Sequence, residues 1–177
     1  YDTLVKLITA GVASGGVIPT KQYKSAANVA ITDFDKIAAI LGKRTGSRPI
    51  FVADRMLINA IASKKLSTYS GNLPESLKSD FYDLEVTNLG SADAIPLQNE
   101  FTSETGYDTQ FPIDTGYIVG SAAGKKPFTV ALAGGLTQKT EEDVEYGRVK
   151  LIVRQKLGAD FLYCGNIGVI QDTAVTI

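Results

Sequence analysis

Alternating apolar and basic residues near the end of the chain form its clearest pattern. Val149, Leu151 and Val153 make up an apolar row. They alternate with a basic row, which consists of Arg148, Lys150, Arg154 and Lys156. Successive side chains of a β-strand point to opposite faces, so this period of two predicts a strand with one apolar and one basic face. We expect the apolar row to face a hydrophobic core.

The neighbouring segments also predict β-structure. Residues 127–132 and 159–164 are typical of strands, and Gly134-Gly135 predicts a turn between strands. Residues 156–159 predict a break in the long strand, and Gly165-Asn166 predicts a hairpin turn. The final third of the chain is therefore expected to form a sheet of adjacent strands.

An acidic run precedes the basic row. It contains Glu141, Glu142, Asp143 and Glu145, of which the first three belong to the candidate interface. A patch of opposite charge so close in sequence favours ion pairing across a subunit interface, and we take the acidic run and the basic row as the candidate interface. Two alternatives stay open for the basic row, a solvated strand face and a contact with packaged nucleic acid.

Helix signals dominate the first part of the chain. Residues 2–12 have apolar side chains at helical spacing. A second helix is predicted to begin at Thr32, with Asp35 completing a capping box, and to end at Gly42. Asp54 follows a short apolar strand at 50–52 and is the predicted N-cap of a third helix.

The middle of the chain predicts a small α/β lobe with long connections. The third helix is expected over residues 55–66, and it would cover the strand that precedes it. Residues 67–74 and 100–114 are expected to be loops, the second one exposed and rich in aromatic residues. Further short strands are predicted at residues 84–87, 94–97 and 116–120.

Composition argues against catalysis. The 177 residues include no histidine and one cysteine, Cys164. The usual general base near neutral pH and the commonest metal ligand are therefore missing, and we predict no catalytic, metal or cofactor site and no enzymatic activity. The net charge of -1 provides no global field that would recruit nucleic acid or an anionic membrane. No apolar run approaches the ~20 residues of a membrane span.

Two segments resemble catalytic motifs only superficially. Residues 120–126 read Gly-Ser-Ala-Ala-Gly-Lys-Lys, but Lys126 stands where a phosphate-binding loop has Ser or Thr, and Pro127 opposes the helix that should follow. A loop between two strands is the favoured interpretation. Tyr146 and Lys150 have a spacing used by some reductases, but on a strand they would lie too far apart to cooperate.

Three stretches of the sequence carry a family resemblance. The first is Gly-Gly-Val-Ile-Pro at residues 15–19, followed by Ala-Ile-Thr-Asp-Phe-Asp at 30–35, and the second is Pro-Ile-Phe-Val-Ala-Asp-Arg at 49–55. The third comprises Glu-Tyr-Gly-Arg at 145–148, Gly-Ala-Asp at 158–160 and Gly-Asn-Ile-Gly-Val-Ile at 165–170. Together they resemble the major capsid proteins of tailed phages, which have the Hong Kong 97-type fold.

The resemblance implies an α+β fold. Residues 31–124 would form a small α/β axial domain, and residues 1–30 with 125–177 would form a discontinuous peripheral domain with an antiparallel sheet and a helix. The N-terminal arm and extended loop of such proteins would be missing. The chain would then be either the C-terminal part of a longer subunit or a subunit without the arm.

The implied function is structural. The protein would be a shell subunit of a phage or prophage capsid, assembling with copies of itself into pentamers and hexamers around the genome. Scaffold or portal proteins would be further partners, packaged DNA would be contacted non-specifically, and no membrane would be involved. Assembly would take place in the bacterial host cytoplasm, and the final location would be the virion.

Two other functions stay open at this point. An encapsulin-like shell would use the same architecture to enclose cargo proteins. An α/β enzyme or small-molecule-binding domain would instead need a concave pocket with convergent polar groups.

Overall fold

The computed structural model describes residues 18–69, 86–103, 105–124, 126–143, 148–161 and 163–177. Within these ranges the chain is a mixed α+β structure with two α-helices and two β-sheets. This confirms the predicted α+β class. The helix predicted over residues 2–12 lies outside the described residues.

Helix α1 spans Ile31–Thr45, close to a full turn longer than predicted. Thr32 is not the N-cap, because the helix begins after Ala30 and no side chain caps it. Gly42 stays within the helix, and the left-handed backbone that ends it comes at Gly46, with a φ of 70°. The Gly46 N–H donates to the Gly42 carbonyl at 2.8 Å, so the sequence contained two possible terminating glycines and the second one is used.

Strand β2, Ile50–Asp54, leads directly into helix α2, Arg55–Tyr69. The predicted cap is confirmed, because the Asp54 carboxylate accepts a hydrogen bond from the Met56 N–H at 2.8 Å. Helix α2 continues past the predicted end, so the first residues of the expected 67–74 loop are helical.

One mixed sheet forms the centre of the molecule. It contains β1 (Tyr23–Ala26), β2, β3 (Asp93–Leu97), β4 (Thr115–Val119) and β7 (Ile167–Asp172) in the order β1-β7-β4-β2-β3. The β1–β7 and β2–β3 pairs are parallel, whereas β4 runs antiparallel to both β2 and β7. The strands expected at 94–97 and 116–120 are confirmed in shifted form as β3 and β4. Of the strand expected at 84–87, only residues 86 and 87 are described, and they lie outside regular strands.

The core lies between this sheet and the two helices. Phe34 of α1 and Leu57 of α2 join strand residues such as Phe51 in one buried cluster. The Phe34 and Phe51 rings meet edge to face, with centroids 5.1 Å apart. Gly116 of β4 allows this close packing, since an added Cβ would lie 2.5 Å from the Phe51 ring. We refer to the five-stranded sheet with α1 and α2 as the body.

The second sheet is a long hairpin of β5, Phe128–Asp143, and β6, Arg148–Phe161. Gly134-Gly135 is not a turn between strands. It lies inside β5, where Gly134 has a φ of 78° and the register shifts between Ala133 and Thr137. Residues 156–159 do not break β6, because cross-strand pairing continues through them.

The end of the hairpin returns the chain to the body. Gly165-Asn166 is not a hairpin turn but part of a 3₁₀ turn, Cys164–Asn166, because β7 that follows pairs with β1 and β4 and not with β6. The central sheet contains strands from both predicted domains, since β1 and β7 lie beside β2 to β4. The division into residues 31–124 and a discontinuous 1–30 with 125–177 stays a prediction. Neither described helix is long and apolar enough to cross a bilayer.

Candidate functional site

The apolar row on β6 is exposed. Val149, Leu151 and Val153 keep 68%, 61% and 50% of their surface accessible. The expectation that this row faces a core is wrong for the single chain, because the hairpin forms a sheet of its own with no third layer upon it among the described residues. Among the hairpin residues whose burial is described, none is buried. A large apolar strand face left open in this way marks an interaction surface.

The hairpin register brings the acidic run and the basic row together. Glu141 is paired with Lys150, and Asp143 is paired with Arg148. Opposite charges at directly paired positions of an antiparallel ladder stabilise the pair. The register thus pairs these two patches within one hairpin, and ion pairing across a subunit interface stays a prediction.

The rest of the candidate interface has different cross-strand partners. Arg154 is exposed and is paired with Thr137, and Lys156 is paired with Ala133. Glu142 is paired with Val149. The remaining cross-strand partners of the apolar row are uncharged, Thr140 opposite Leu151 and Gln138 opposite Val153.

A cluster of hydrogen bonds fixes the base of the hairpin to the body. The Gln22 amide donates to the carbonyls of Gly165 at 2.7 Å and Ile167 at 3.1 Å. The Arg44 guanidinium donates to the Gln22 side-chain oxygen at 2.7 Å and to the Gly165 carbonyl at 2.8 Å. Charge-assisted bonds of this kind hold the point where the chain leaves β6 for the body.

An open apolar groove lies at the other end of the central strands. Its cavity volume is about 480 Å³. The apolar part of its lining comes from the start of α2, the end of β3, the following loop and the last residue described, namely Met56, Pro96, Leu97, Phe101, Ile113 and Ile177. Of these, Met56, Pro96, Phe101 and Ile177 are exposed.

Hydrogen bonds hold the groove in shape. The Asn99 amide donates to the Asp54 carboxylate at 2.7 Å and to the Phe111 carbonyl at 3.0 Å, and its oxygen accepts the Phe111 N–H at 3.0 Å. Phe101 packs edge to face on Tyr107, with ring centroids 5.9 Å apart. The expected irregular loop at 100–114 is confirmed for the residues described. Hydrogen bonds hold this loop in place, and it forms one side of the groove. The aromatics in this segment were the only sequence signal for it.

Asp172 is the most deeply buried charge described, and its role is structural. Its carboxylate accepts the N–H groups of Asn28 at 2.8 Å, Val29 at 3.1 Å and Ala174 at 3.2 Å, and it binds the Lys64 ammonium. Burial works against ionisation, but Lys64 and the backbone N–H groups outweigh it and lower the pKa of Asp172 below 3.8. The carboxylate oxygens already have several donors, which is typical of a structural group and not of a catalytic base.

A second carboxylate has a lowered pKa near the surface. The Lys24 ammonium, 3.0 Å from the Asp33 carboxylate, lowers the pKa of Asp33, and Lys36 at 3.7 Å acts in the same direction. The Lys24–Asp33 pair joins β1 to the first turn of α1. It therefore fastens two elements of the body to each other, which is again a structural role.

The structure around the segment that resembles a phosphate-binding loop agrees with its interpretation as a loop between two strands. Residues 120–124 form a loop after β4, with Gly124 at a φ of 75°, and β5 begins at Phe128 where a phosphate-binding loop would need a helix. Tyr146 lies outside the described residues. In the part of the chain that the structure describes, no three acidic, cysteine or histidine side chains are grouped as metal ligands.

Comparison with known proteins identifies the family. The family model described as "SPbeta prophage-derived putative capsid protein YonB" matches residues 1–171. The chain belongs to the YonB family of prophage capsid-like proteins. A relative in Bacillus subtilis (strain 168), named "SPbeta prophage-derived uncharacterized protein YonB", is 34% identical over 177 residues, covering 98% of this chain and 52% of that protein.

The chain spans about half the length of the curated relative it matches. No solved structure matches the chain, so the particular shell fold rests on sequence resemblance alone. The candidate interaction sites of this YonB-family chain are two apolar surfaces, the apolar row and the groove.

Proposed function

We propose that this chain is part of a structural subunit that assembles with copies of itself into a phage or prophage capsid shell. The observation that carries the proposal is the YonB-family match across residues 1–171. The exposed apolar row and groove support it, because a shell subunit acts through surfaces that stay open in the single chain. On this proposal the protein has no chemical step.

The particular architecture proposed is the Hong Kong 97-type fold. Residues 31–124, with α1, α2 and strands β2 to β4, would be the axial domain, and residues 1–30 with 125–177, which include the hairpin, would be the discontinuous peripheral domain. Copies would form pentamers and hexamers that enclose the genome in a virion assembled in the host cytoplasm. Scaffold and portal proteins would be further partners, and contact with DNA would be non-specific, consistent with a net charge of -1.

Expression of the full-length subunit, alone and with its neighbouring genes, tests the proposal. Electron microscopy and analytical ultracentrifugation should reveal rings or closed shells. A folded subunit that stays monomeric under every condition, including with its neighbours, would contradict the structural role.

Charge reversal tests the candidate interface separately. With both Arg148 and Lys150 changed to Glu, we expect a folded subunit whose assembly is impaired, because the pairing with the acidic run is replaced by repulsion. Arg148→Lys with Lys150→Arg is the matched control that keeps the charge. A sharp fall in melting temperature with normal assembly of the surviving protein would assign these residues to folding instead.

A further inference from the structure

Four segments of the chain converge at the end of the central sheet from which the hairpin leaves. Val119 pairs with both Ile50 and Ile167 at this end. The end of α1 reaches it as well, because the Ser47 hydroxyl donates to the Ser121 carbonyl at 2.5 Å. We refer to this surface as the neck, which comprises residues 18–22, 43–49, 120–127 and 163–166.

The neck is basic, and none of its four segments contains an acidic residue. Its described basic residues are all exposed, namely Lys21, Lys43, Arg44, Arg48 and Lys126. Arg48 forms an ion pair with Asp93 at 3.1 Å. No carboxylate in the described part of the chain forms an ion pair with the other four. The net charge of -1 therefore conceals a local excess of positive charge.

Acidic residues predominate at the opposite end of the sheet. Asp54 and Asp172 are the last residues of β2 and β7, and Glu100 and Asp108 are exposed on the loop at 100–114. The exposed cation Arg55 also lies at this end. The body thus has a basic end and an acidic end, and its field directs an approaching polyanion to the neck.

Two exposed tyrosines accompany the cations of the neck. Tyr163 keeps 49% of its surface accessible and Tyr23 keeps 39%. Tyr163 lies close to Lys126 in the fold, because its N–H donates to the carbonyl of the next residue, Pro127, at 3.2 Å. Tyr23 begins β1 two positions after Lys21. Aromatic rings placed among cations can stack on nucleobases while the cations contact the phosphates.

We infer that the neck binds nucleic acid without sequence preference, through phosphate contacts and stacking on tyrosine. The inference rests on the proposed function, because the genome enclosed by a shell is the nucleic acid that its subunits meet. The neck suits this partner better than the basic row on β6. In that row the hairpin register places acidic residues opposite Arg148 and Lys150, and residues 148–156 contain no aromatic residue.

Binding of a labelled oligothymidylate of about 20 nucleotides to the full-length, unassembled subunit tests the inference by fluorescence anisotropy. One variant combines Lys43→Gln with Lys126→Gln at the neck. The matched control combines Lys36→Gln with Arg55→Gln, which remove the same charge from exposed positions elsewhere. Counterion release contributes about fivefold per phosphate contact in about 0.1 M salt. We therefore expect about 25-fold weaker binding for the neck variant, and a control within about twofold of wild type.

The salt dependence gives a second readout of the same contacts. The slope of log affinity against log salt should become shallower by about 1.4 in the neck variant, at about 0.7 per contact. Melting temperatures verify that both variants are folded. Equal losses in the two variants, or no loss in either, would contradict the inference. Polyglutamate that competes as well as unlabelled oligothymidylate of equal charge would show that the neck recognises an acidic protein segment, which also overturns it.

The stacking contact is tested by Tyr163→Leu. This variant keeps the charge of the neck and should bind oligothymidylate at least about fivefold more weakly, because one base loses its aromatic partner. Its affinity for duplex DNA, whose bases are already stacked, should stay within about twofold of wild type. An unchanged affinity for oligothymidylate, or equal losses for the two probes, would contradict stacking at the neck.

Assembly of the same proteins separates this inference from the proposed function. The neck variant should form the same rings or shells as the wild type, since its two changes lie outside the hairpin. If the wild type forms shells but does not bind the oligonucleotide, the inference is wrong and the structural role stands. Binding that depends on the neck, without any ring or shell, would keep the nucleic-acid surface and remove the capsid role.

Discussion

The body and the hairpin are both built on β-strands, yet they differ in what covers them. In the body, Phe51, Ile118 and Ile170 are fully buried beneath two helices. In the hairpin, strands about three times as long contain no buried side chain among those described. An alternating pattern tells which residues share a face, but only a second layer decides whether that face becomes a core. The comparison therefore predicts that the same type of substitution lowers the free energy of unfolding more in the body than in the hairpin.

Truncation of a large apolar side chain should show the greatest contrast. Phe51→Ala removes a fully buried ring from its contact with Phe34, and we expect a loss of about 3–5 kcal/mol in the free energy of unfolding. Leu151→Ala in the monomer should cost less than about 0.5 kcal/mol, because that side chain is exposed. Urea denaturation of the two variants measures both values. Similar losses would mean that the apolar row is already covered within the chain.

Removal of the buried Asp172 charge should cause the second largest loss in the free energy of unfolding. Asp172→Asn leaves the Lys64 ammonium without its counterion, and we expect a loss of about 3 kcal/mol, the lower end of the range for buried pairs, since Lys64 is partly exposed. Asp33→Asn is the matched control, because it neutralises a carboxylate that is paired with the more exposed Lys24, and it should cost under about 1 kcal/mol. Urea denaturation at neutral pH measures both losses, and equal losses would contradict the special role of the buried pair.

The pH dependence of this loss has a defined sign. The pKa of Asp172 is lowered in the folded protein, so its contribution is complete above the unfolded value near 3.8 and disappears as the pH falls through the lower folded value. The difference in unfolding free energy between wild type and Asp172→Asn should stay constant from about pH 7 to 5 and shrink below about pH 4. If the difference in unfolding free energy stayed constant down to about pH 2, the loss would come from the shape of the Asp172 side chain and not from its charge.

Replacing a glycine by alanine should also destabilise the body more than the hairpin, by a smaller amount than the changes above. Gly116→Ala brings a Cβ within 2.5 Å of the Phe51 ring and should destabilise the body by about 1–3 kcal/mol. Gly158→Ala in β6 meets nothing within 4 Å and should change the stability by less than about 0.5 kcal/mol. Melting curves of the two proteins provide the test, and a large loss at Gly158 would reveal a neighbour on the hairpin.

The smallest expected effect concerns the charged face of the hairpin. Lys150→Glu opposes Glu141 with a like charge and should weaken the hairpin by about 0.2–1 kcal/mol. Adding Glu141→Lys restores opposite charges and should restore protection of the hairpin amides in hydrogen exchange. If the double variant recovers protection but not assembly, the pair acts within the hairpin and the two residues also contact another subunit.

Local signals in the sequence were enough for some elements. Asp54 after an apolar strand predicted the cap of α2, because a cap and its N–H partner lie two residues apart. The choice between Gly42 and Gly46 at the end of α1 was not local. Either glycine could have ended the helix, and the added turn carries Arg44, whose partners Gln22 and Gly165 lie 22 and 121 positions away.

The hairpin and the groove needed information that the pattern does not contain. Gly134-Gly135 was interpreted as a turn, but glycine also suits an irregularity inside a strand, and pairing with β6 decides between them. The apolar row was assigned to a core because period two does not distinguish a covered face from an open one. The bonds from Asp172 to Asn28 and Lys64 join residues 144 and 108 positions apart, so no spacing rule could have found them.

The position of β7 in the central sheet determines when that sheet can be completed during synthesis. This strand lies between β1 and β4, so β1 has no neighbour in the sheet until residues 167–172 have been made. At ~5–20 residues per second, the wait between the two strands is roughly 7 to 30 s. The edge of β1 is open to pairing with other chains throughout that time, and the edge of β4 is open from the synthesis of residues 115–119 until β7 arrives. Ribosome-bound intermediates are therefore expected to be the most aggregation-prone form of the chain.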